Sequence, residues 1–118
     1  LGNKSTTNAT EPVAVLGITN ALEITTGEAH TCARLSDSTL QCWGDGSRGQ
    51  VGNKPYSSSN VPVAVLGLTN ALEVSVGGNH SCARLGDSSL QCWGNGTQGE
   101  LGNKNDSSSG VPVSVVWR

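Results

Sequence analysis

Methionine and phenylalanine are absent from the 118 residues, and aromatic side chains make up only 3% of them. A core built on large aromatics is therefore excluded, and Leu, Val, Ile, Ala and Cys have to carry the burial. Charge is also sparse. Seven Lys and Arg against nine Asp and Glu leave a formal net charge of −2, which offers no pull toward nucleic acid or an anionic membrane surface. No apolar run approaches the ~20 residues of a spanning helix, and no signal-peptide pattern stands in the sequence, so membrane insertion is not expected. The lack of Met, with a start at Leu1 inside a recognisable unit, implies a processed or excised chain. What abounds is Gly, Ser, Thr and Asn between short apolar runs, the composition of turn-rich β structure, and long helices are not expected.

The dominant pattern is a tandem repeat. Residues 11–60 align with residues 61–110 without a gap; 18 of the 50 positions differ, leaving 32 identities, the mark of a duplication. LGNK at Leu1 to Lys4 recurs as VGNK from Val51 and LGNK from Leu101, and Pro-Val recurs at Pro12, Pro62 and Pro112. The expected organisation is a tail loop of a preceding repeat over 1–10, repeat 1 over 11–60, repeat 2 over 61–110, and a closing outer strand over 111–118. Each unit holds four short β-like runs: Leu22 to Thr26, His30 to Leu35, Thr39 to Trp43 and Val61 to Leu66, with counterparts fifty residues on. Leu22 and Ile24 alternate against Glu23 and Thr25. The loop Ser36-Asp37-Ser38, or Gly86-Asp87-Ser88, joins the second and third runs as a hairpin. The Pro in the fourth run suits an edge strand.

A four-stranded unit of this size cannot bury a core alone, but units stacked face to face can, as in β-propellers. The expected fold is all-β: two four-stranded antiparallel propeller blades plus one spare outer strand at Pro12 to Leu16. A closed propeller takes at least four blades, typically four to eight, so a partial propeller or one completed by several chains is expected.

At GEAHTCARLSDSTLQCWGDGSRGQVGNK and its copy GGNHSCARLGDSSLQCWGNGTQGELGNK the sequence resembles the repeats of the regulator-of-chromosome-condensation family. The matching elements are the Gly-x-x-His opening, the hairpin with Asp at its turn, the Trp-Gly pair and the glycine-rich segment after it. The resemblance implies propeller blades whose outermost strand is donated across a repeat boundary. Ser38 and Ser88 stand where a glycine is usual, and the cysteines bring the repeats closer to secreted bacterial versions than to the nuclear exchange factor. The family's roles range over guanine-nucleotide exchange, ubiquitin-ligase scaffolding, light sensing and enzyme inhibition, so the fold does not select one.

Cys32 and Cys42, and likewise Cys82 and Cys92, flank the hairpin symmetrically about Asp37 and Asp87. Opposed residues of an antiparallel pair lie at a separation a disulfide tolerates, so the bonds Cys32–Cys42 and Cys82–Cys92 are expected. Each closes a short loop worth about 3 kcal/mol on the chain-entropy estimate, and both point to a secreted or cell-surface location. Zinc held by His30, Cys32 and Cys42 is the competing reading; it lacks the Cys-x-x-Cys knuckle and a fourth ligand within the unit.

His30 and His80 recur at one repeat position with no Ser-His-Asp order or paired carboxylates around them, so they read as buried hydrogen-bonding residues. Trp43 and Trp93 read as blade-to-blade packing, with ligand platforms as the alternative. Gly44 to Gly52 and Gly94 to Gly102 resemble phosphate-cradling loops, but no helix and no Lys-Ser/Thr pair follows. No catalytic, metal or cofactor residue is assigned, and an enzyme is not expected. The better pointers are differences between the copies: Glu28, Arg48, Gln50, Tyr56, Asn79, Gln98, Glu100 and Asp106 are the candidate binding-loop residues. Asn3, Asn8, Asn79, Asn95 and Asn105 each open an Asn-x-Ser/Thr sequon. The expected function is an extracellular, non-catalytic binding and scaffolding module engaging a protein partner or other copies of itself as a ring or filament. A carbohydrate-binding lectin with one site per repeat is the alternative.

Overall fold

The computed structural model describes residues 1–116. Strands β1 (Ala21–Thr26), β2 (His30–Leu35), β3 (Leu40–Gly44) and β4 (Ser59–Ala64) form one antiparallel sheet in chain order. β5 (Ala71–Val76), β6 (His80–Leu85), β7 (Leu90–Gly94) and β8 (Ser109–Ser114) form a second. No helix occurs among the described residues, and the molecule consists of two propeller blades, a partial propeller. β4 closes the first sheet although its residues straddle the boundary between the sequence units at 60/61.

Several details differ from the reading of the sequence, among them the fourth strand's end at Ala64 rather than Leu66. Thr39 belongs to the turn, not to the third strand, because its N–H and hydroxyl both donate to Asp37 Oδ1, at 3.1 and 2.6 Å. Ser38 in that turn has φ 66° and Ser88 has φ 69°, the left-handed conformation that explains why glycine is usual there. The fourth strand begins at Ser59, two residues earlier than expected, because the ladder slips at a bulge between Cys42 and Gly44. Gly44, at φ 106°, lies against the Ala29 carbonyl and 2.8 Å from His30 Cα at the point a Cβ would occupy, so only glycine fits. The spare outer strand at Pro12 to Leu16 does not form. β4 and β8 each take their ladder from the hairpin before them, and no described hairpin precedes residue 12. That segment instead folds back, with Leu16 N–H donating to the Gly2 carbonyl at 2.9 Å, and lays Val15 and Ile18 on Ala33, Leu35 and Trp43.

The main core lies between the blades. Cys32, Leu40 and Cys42 of the first sheet share one buried cluster with Val74, Ala83, Leu85 and Trp93 of the second, and Val51, Val65 and Leu68 of the connecting segment complete it. Each fully buried aliphatic side chain there contributes about 1.5–3 kcal/mol, so the stack rather than either sheet holds the fold. The phase of β1 follows from that stack. Glu23 and Thr25 turn toward the second blade, whereas Ile24 is 62% exposed on a side no sheet covers; Val74, its counterpart, is 4% exposed.

Candidate functional site

In a four-stranded meander the first and third connections emerge at one end and the second at the other. Residues 27–29 and 45–58 of the first blade therefore share an end, as do 77–79 and 95–108 of the second. The paired loops are tied together: Asp45 N–H donates to the Ala29 carbonyl and Asn95 N–H to the Asn79 carbonyl, both at 2.8 Å. All eight candidate binding-loop residues lie on this end. Glu28, Arg48, Tyr56, Asn79, Gln98 and Asp106 are exposed, and Glu100 is half-buried. Gln50 is 0% exposed; it is a strut inside its loop, not a residue that reaches a partner.

The strut works through a residue the sequence reading passed over. Asp45 accepts from Ser47 N–H and Oγ, both at 3.1 Å, from Gln50 Nε2 at 2.9 Å and from Ser58 Oγ at 3.2 Å, while Gln50 Oε1 accepts from Arg48 N–H at 2.8 Å. Burial disfavours the charge on Asp45, but the hydrogen bonds from Ser47, Ser58 and Gln50 outweigh it and hold the carboxyl below its ordinary value. In the second repeat the same bond is made with the charge moved to the other partner: Asn95 Nδ2 donates to Glu100 Oε1 at 2.7 Å, and Gln98 N–H donates to Glu100 Oε2 at 2.8 Å. The Gln98 N–H, with lesser contributions from His80 and Asn95, holds the Glu100 carboxyl below its ordinary value. The signal for this pairing was present as the joint exchange Asp45/Asn95 and Gln50/Glu100.

His30 is buried between the blades, with Nε2 2.9 Å from Ser81 Oγ. Ser81 donates to the Gln50 carbonyl at 3.1 Å, so its hydroxyl has no second proton and His30 must donate from Nε2. His30 Nδ1 is buried without a partner. A fully buried serine whose proton is committed to a main-chain carbonyl is not an activated nucleophile. Burial, reinforced by His80 and opposed by Asp45, keeps the His30 pKa below its ordinary value. His80 occupies the same place in the second blade and is half-exposed.

Trp93 is fully buried, its Nε1 donating to the Gln50 carbonyl at 3.0 Å, and a Cβ on Gly52 would come within 2.7 Å of that nitrogen. Trp43 is seated likewise on Gly2 and Val15. Neither indole is free to stack on a ligand. Cys32 and Cys42 are bonded across β2 and β3 with Cα atoms 4.1 Å apart, and Cys82 and Cys92 across β6 and β7 at 4.0 Å. Among the described residues no group of three or more His, Cys, Asp or Glu is placed to hold a metal ion.

A model described as the regulator of chromosome condensation (RCC1) repeat matches residues 39–84, and a second model of the same repeat matches residues 23–50 and 72–100. No curated protein matches the sequence. Among solved structures, Prp20p from Saccharomyces cerevisiae, described with its binding properties to Gsp1p and histones, is similar at 21% identity and TM-score 0.78, over 89% of this chain and 27% of that one. Yeast RCC1 (Prp20) bound to Kap60 matches at 21% identity and TM-score 0.78, over 89% and 26%. Human WBSCR16 matches at 21% identity and TM-score 0.76, over 86% and 27%. This chain thus spans about a quarter of the length of each. With models of one repeat matched across residues 23–100 and two sheets that superpose on blades of these propellers, the chain belongs to the regulator of chromosome condensation (RCC1) repeat family.

Proposed function

We propose that this chain is a secreted or cell-surface, non-catalytic binding and scaffolding module. It engages a protein partner, or other copies of itself, through its blade edges and the loop end of its blades. One observation carries the reading: differences between the repeats are sorted by place. The loop differences that alter charge, Glu28/Gly78, Asp45/Asn95, Arg48/Gln98, Gln50/Glu100 and Tyr56/Asp106, gather at one end. Most positions between the blades keep their chemistry, as in Ile24/Val74, Thr25/Ser75 and Thr31/Ser81, while Thr26/Val76 does not. A fixed frame with one varied loop end is what a recognition surface needs. The binding of Gsp1p and histones by Prp20p, and of Kap60 by yeast RCC1, supports a protein as the partner class. The two cystine-paired hairpins support an oxidising compartment.

The test is photo-crosslinking on cells of the source organism with p-benzoylphenylalanine at position 48 or 98, compared with position 37 or 87 at the opposite end. Discrete protein adducts from 48 or 98 and none from 37 or 87 are expected. Adducts from both ends alike, or from neither, would defeat the reading.

The lectin alternative has support of its own in two open grooves at equivalent places of the repeats. One, of about 440 Å³, is walled by Ser5, Thr6, Ser58, Ser59 and Asn60; the other, of about 250 Å³, by Lys54, Tyr56, Ser108, Ser109 and Gly110. Hydroxyls beside an exposed Tyr suit a sugar. Glycan-array binding lost in Tyr56→Ala, with crosslinks absent, would favour this reading over a protein partner.

A further inference from the structure

His30 lies in the joint between the blades, 2% exposed. Both sheets of that joint have all four strands, so its burial is set by residues on either side of it. With the ring proton on Nε2 and given to Ser81 Oγ at 2.9 Å, Nδ1 is left as a buried lone pair with no donor. Two glycine turns seal it. A Cβ on Gly27 would lie 2.9 Å from Nδ1 and strike the Gly77 carbonyl, so the backbone closes directly over the ring.

The hydroxyl that His30 holds is the first link of a path to the loop end. Ser81 Oγ donates to the Gln50 carbonyl at 3.1 Å, and Trp93 Nε1 donates to the same oxygen at 3.0 Å. Gln50 in turn carries the exposed loop: its Oε1 accepts from Arg48 N–H at 2.8 Å and its Nε2 donates to Asp45 at 2.9 Å. One residue of the first unit thus clasps the second blade with its main chain and shapes the Arg48 loop with its side chain. Elsewhere this end of the joint is held loosely. Glu28 N–H meets the Gly78 carbonyl at 3.4 Å, and the bonds from β1, Glu23 to Val74 N–H and Thr25 to Val76 N–H, span 3.5 and 3.4 Å.

A proton taken from solvent onto Nδ1 makes a charged ring whose new donor has no acceptor in the closed joint, a costly state. The ionisable groups around it relieve it only in part. His80, on β6, opposes the charge, and Asp45, on the loop, favours it with oxygens already held by Ser47, Ser58 and Gln50. Glu28, on the covering turn, is exposed and lies over Gly78. Water relieves the rest, and it enters where the joint is loosest, between the two turns. We infer that His30 is an acid-released clasp: a proton on Nδ1 opens the loop end of the joint, breaks the Ser81 and Trp93 bonds to the Gln50 carbonyl and frees the Arg48 loop, which lets go of its partner. The closed joint takes the proton less readily than the open one, so opening grows as pH falls below the ordinary imidazole value near ~6.5. Histidine is the side chain whose charge changes in that range. Release of the partner rests on the loop-binding reading of function; the opening itself does not.

Amide exchange of the full chain, read as protection factors at about pH 7.5 and about pH 5, tests the clasp with no partner present. Arg48, Gly52 and Val76, whose N–H groups bond within the loop or across the joint, are expected to lose protection by at least about fivefold in acid. Leu35 and Leu85, bonded to Thr39 and Ser89 at the opposite end, are expected to keep theirs. His30→Gln still offers Ser81 a donor but cannot titrate, so it is expected to abolish the difference, and His80→Gln to retain it. Should His30→Gln misfold, nuclear magnetic resonance of the wild type decides, with the His30 ring and the Arg48 amide expected to titrate at one midpoint. Protection unchanged by acid, lost equally at Leu35 and Leu85, still pH-dependent in His30→Gln, or two separate midpoints would each overturn the inference. Crosslinks from p-benzoylphenylalanine at position 48 are expected to fall at least about fivefold over the same range, and not in His30→Gln; a yield that holds steady in the wild type overturns the release of the partner. Absence of crosslinks at both pH values defeats the loop-binding reading, while exchange still decides the clasp.

Discussion

His30 is kept neutral between the sheets because its ring is desolvated, with Nδ1 unpartnered and Nε2 committed to Ser81. In the unfolded chain imidazole takes up a proton near pH ~6.5. The folded form resists that proton, so the stability His30 contributes is present above about pH 6.5 and lost as pH falls below it. Asp37, Asp45, Asp87 and Glu100 are held below the ordinary carboxylate range, and their contributions are lost only at lower pH. Urea unfolding at about pH 7.5 and about pH 5 is expected to show a drop that shrinks in His30→Gln, which still offers Ser81 a donor. An equal drop in both proteins would refute this role. The Asp45–Gln50 pair makes a second residue-scale prediction. Gln50→Glu sets a buried carboxylate against Asp45 and is expected to cost about 3 kcal/mol. Adding Asp45→Asn rebuilds the arrangement seen at Asn95 and Glu100, so the double variant is expected to be more stable than Gln50→Glu alone, with a coupling of about 1–3 kcal/mol. Additive effects would show that the two loops do not share one design.

At the scale of the elements, the two hairpins are alike in sequence and unlike in surroundings. Cys32 and Cys42 are fully buried under the second blade, whereas Cys82 is half-buried on an uncovered face. A thiolate reductant reaches only accessible sulfur, so brief reduction with alkylation and peptide mapping is expected to label Cys82 and Cys92 before Cys32 and Cys42; simultaneous labelling would contradict it. Leu40→Ala is likewise expected to cost about 2–5 kcal/mol, and Leu90→Ala clearly less in thermal melts of the monomer. These hairpins were legible beforehand because the cysteines are spaced symmetrically about an Asp turn, and β2 falls where the pattern put it. The edges of β3 and β4 were not legible. Asp37 draws Thr39 into the turn, and the bulge at Gly44 shifts the ladder by a local conformation that alternation of residue types does not encode. The phase of β1 was also hidden, because the alternation of Leu22 and Ile24 against Glu23 and Thr25 does not say which side the neighbouring blade covers. Of the loop candidates, Gln50 was misplaced for the same reason: polarity marks a residue for solvent, and only the packed loop shows its amide spent inside.

The whole molecule has its largest cluster between the sheets and a smaller one under residues 15 and 18. Stability in such stacks comes from the contact between neighbours as much as from each unit. Trp93 is the test position, since it belongs to the second blade but rests on Gly52 and the Gln50 carbonyl of the first unit. Trp93→Ala is expected to cost about 3–5 kcal/mol and to lower amide protection in β2 and β6 together. Loss confined to β6 would mean that the blades fold independently. The handedness of the stack has a further consequence. The fifty-residue segment encodes both the plug and the socket, so each extra copy inserted in tandem arrives already fitted to the copy before it and ready for the one after. Lengthening such a protein needs no new adaptation, only a decision about where to stop.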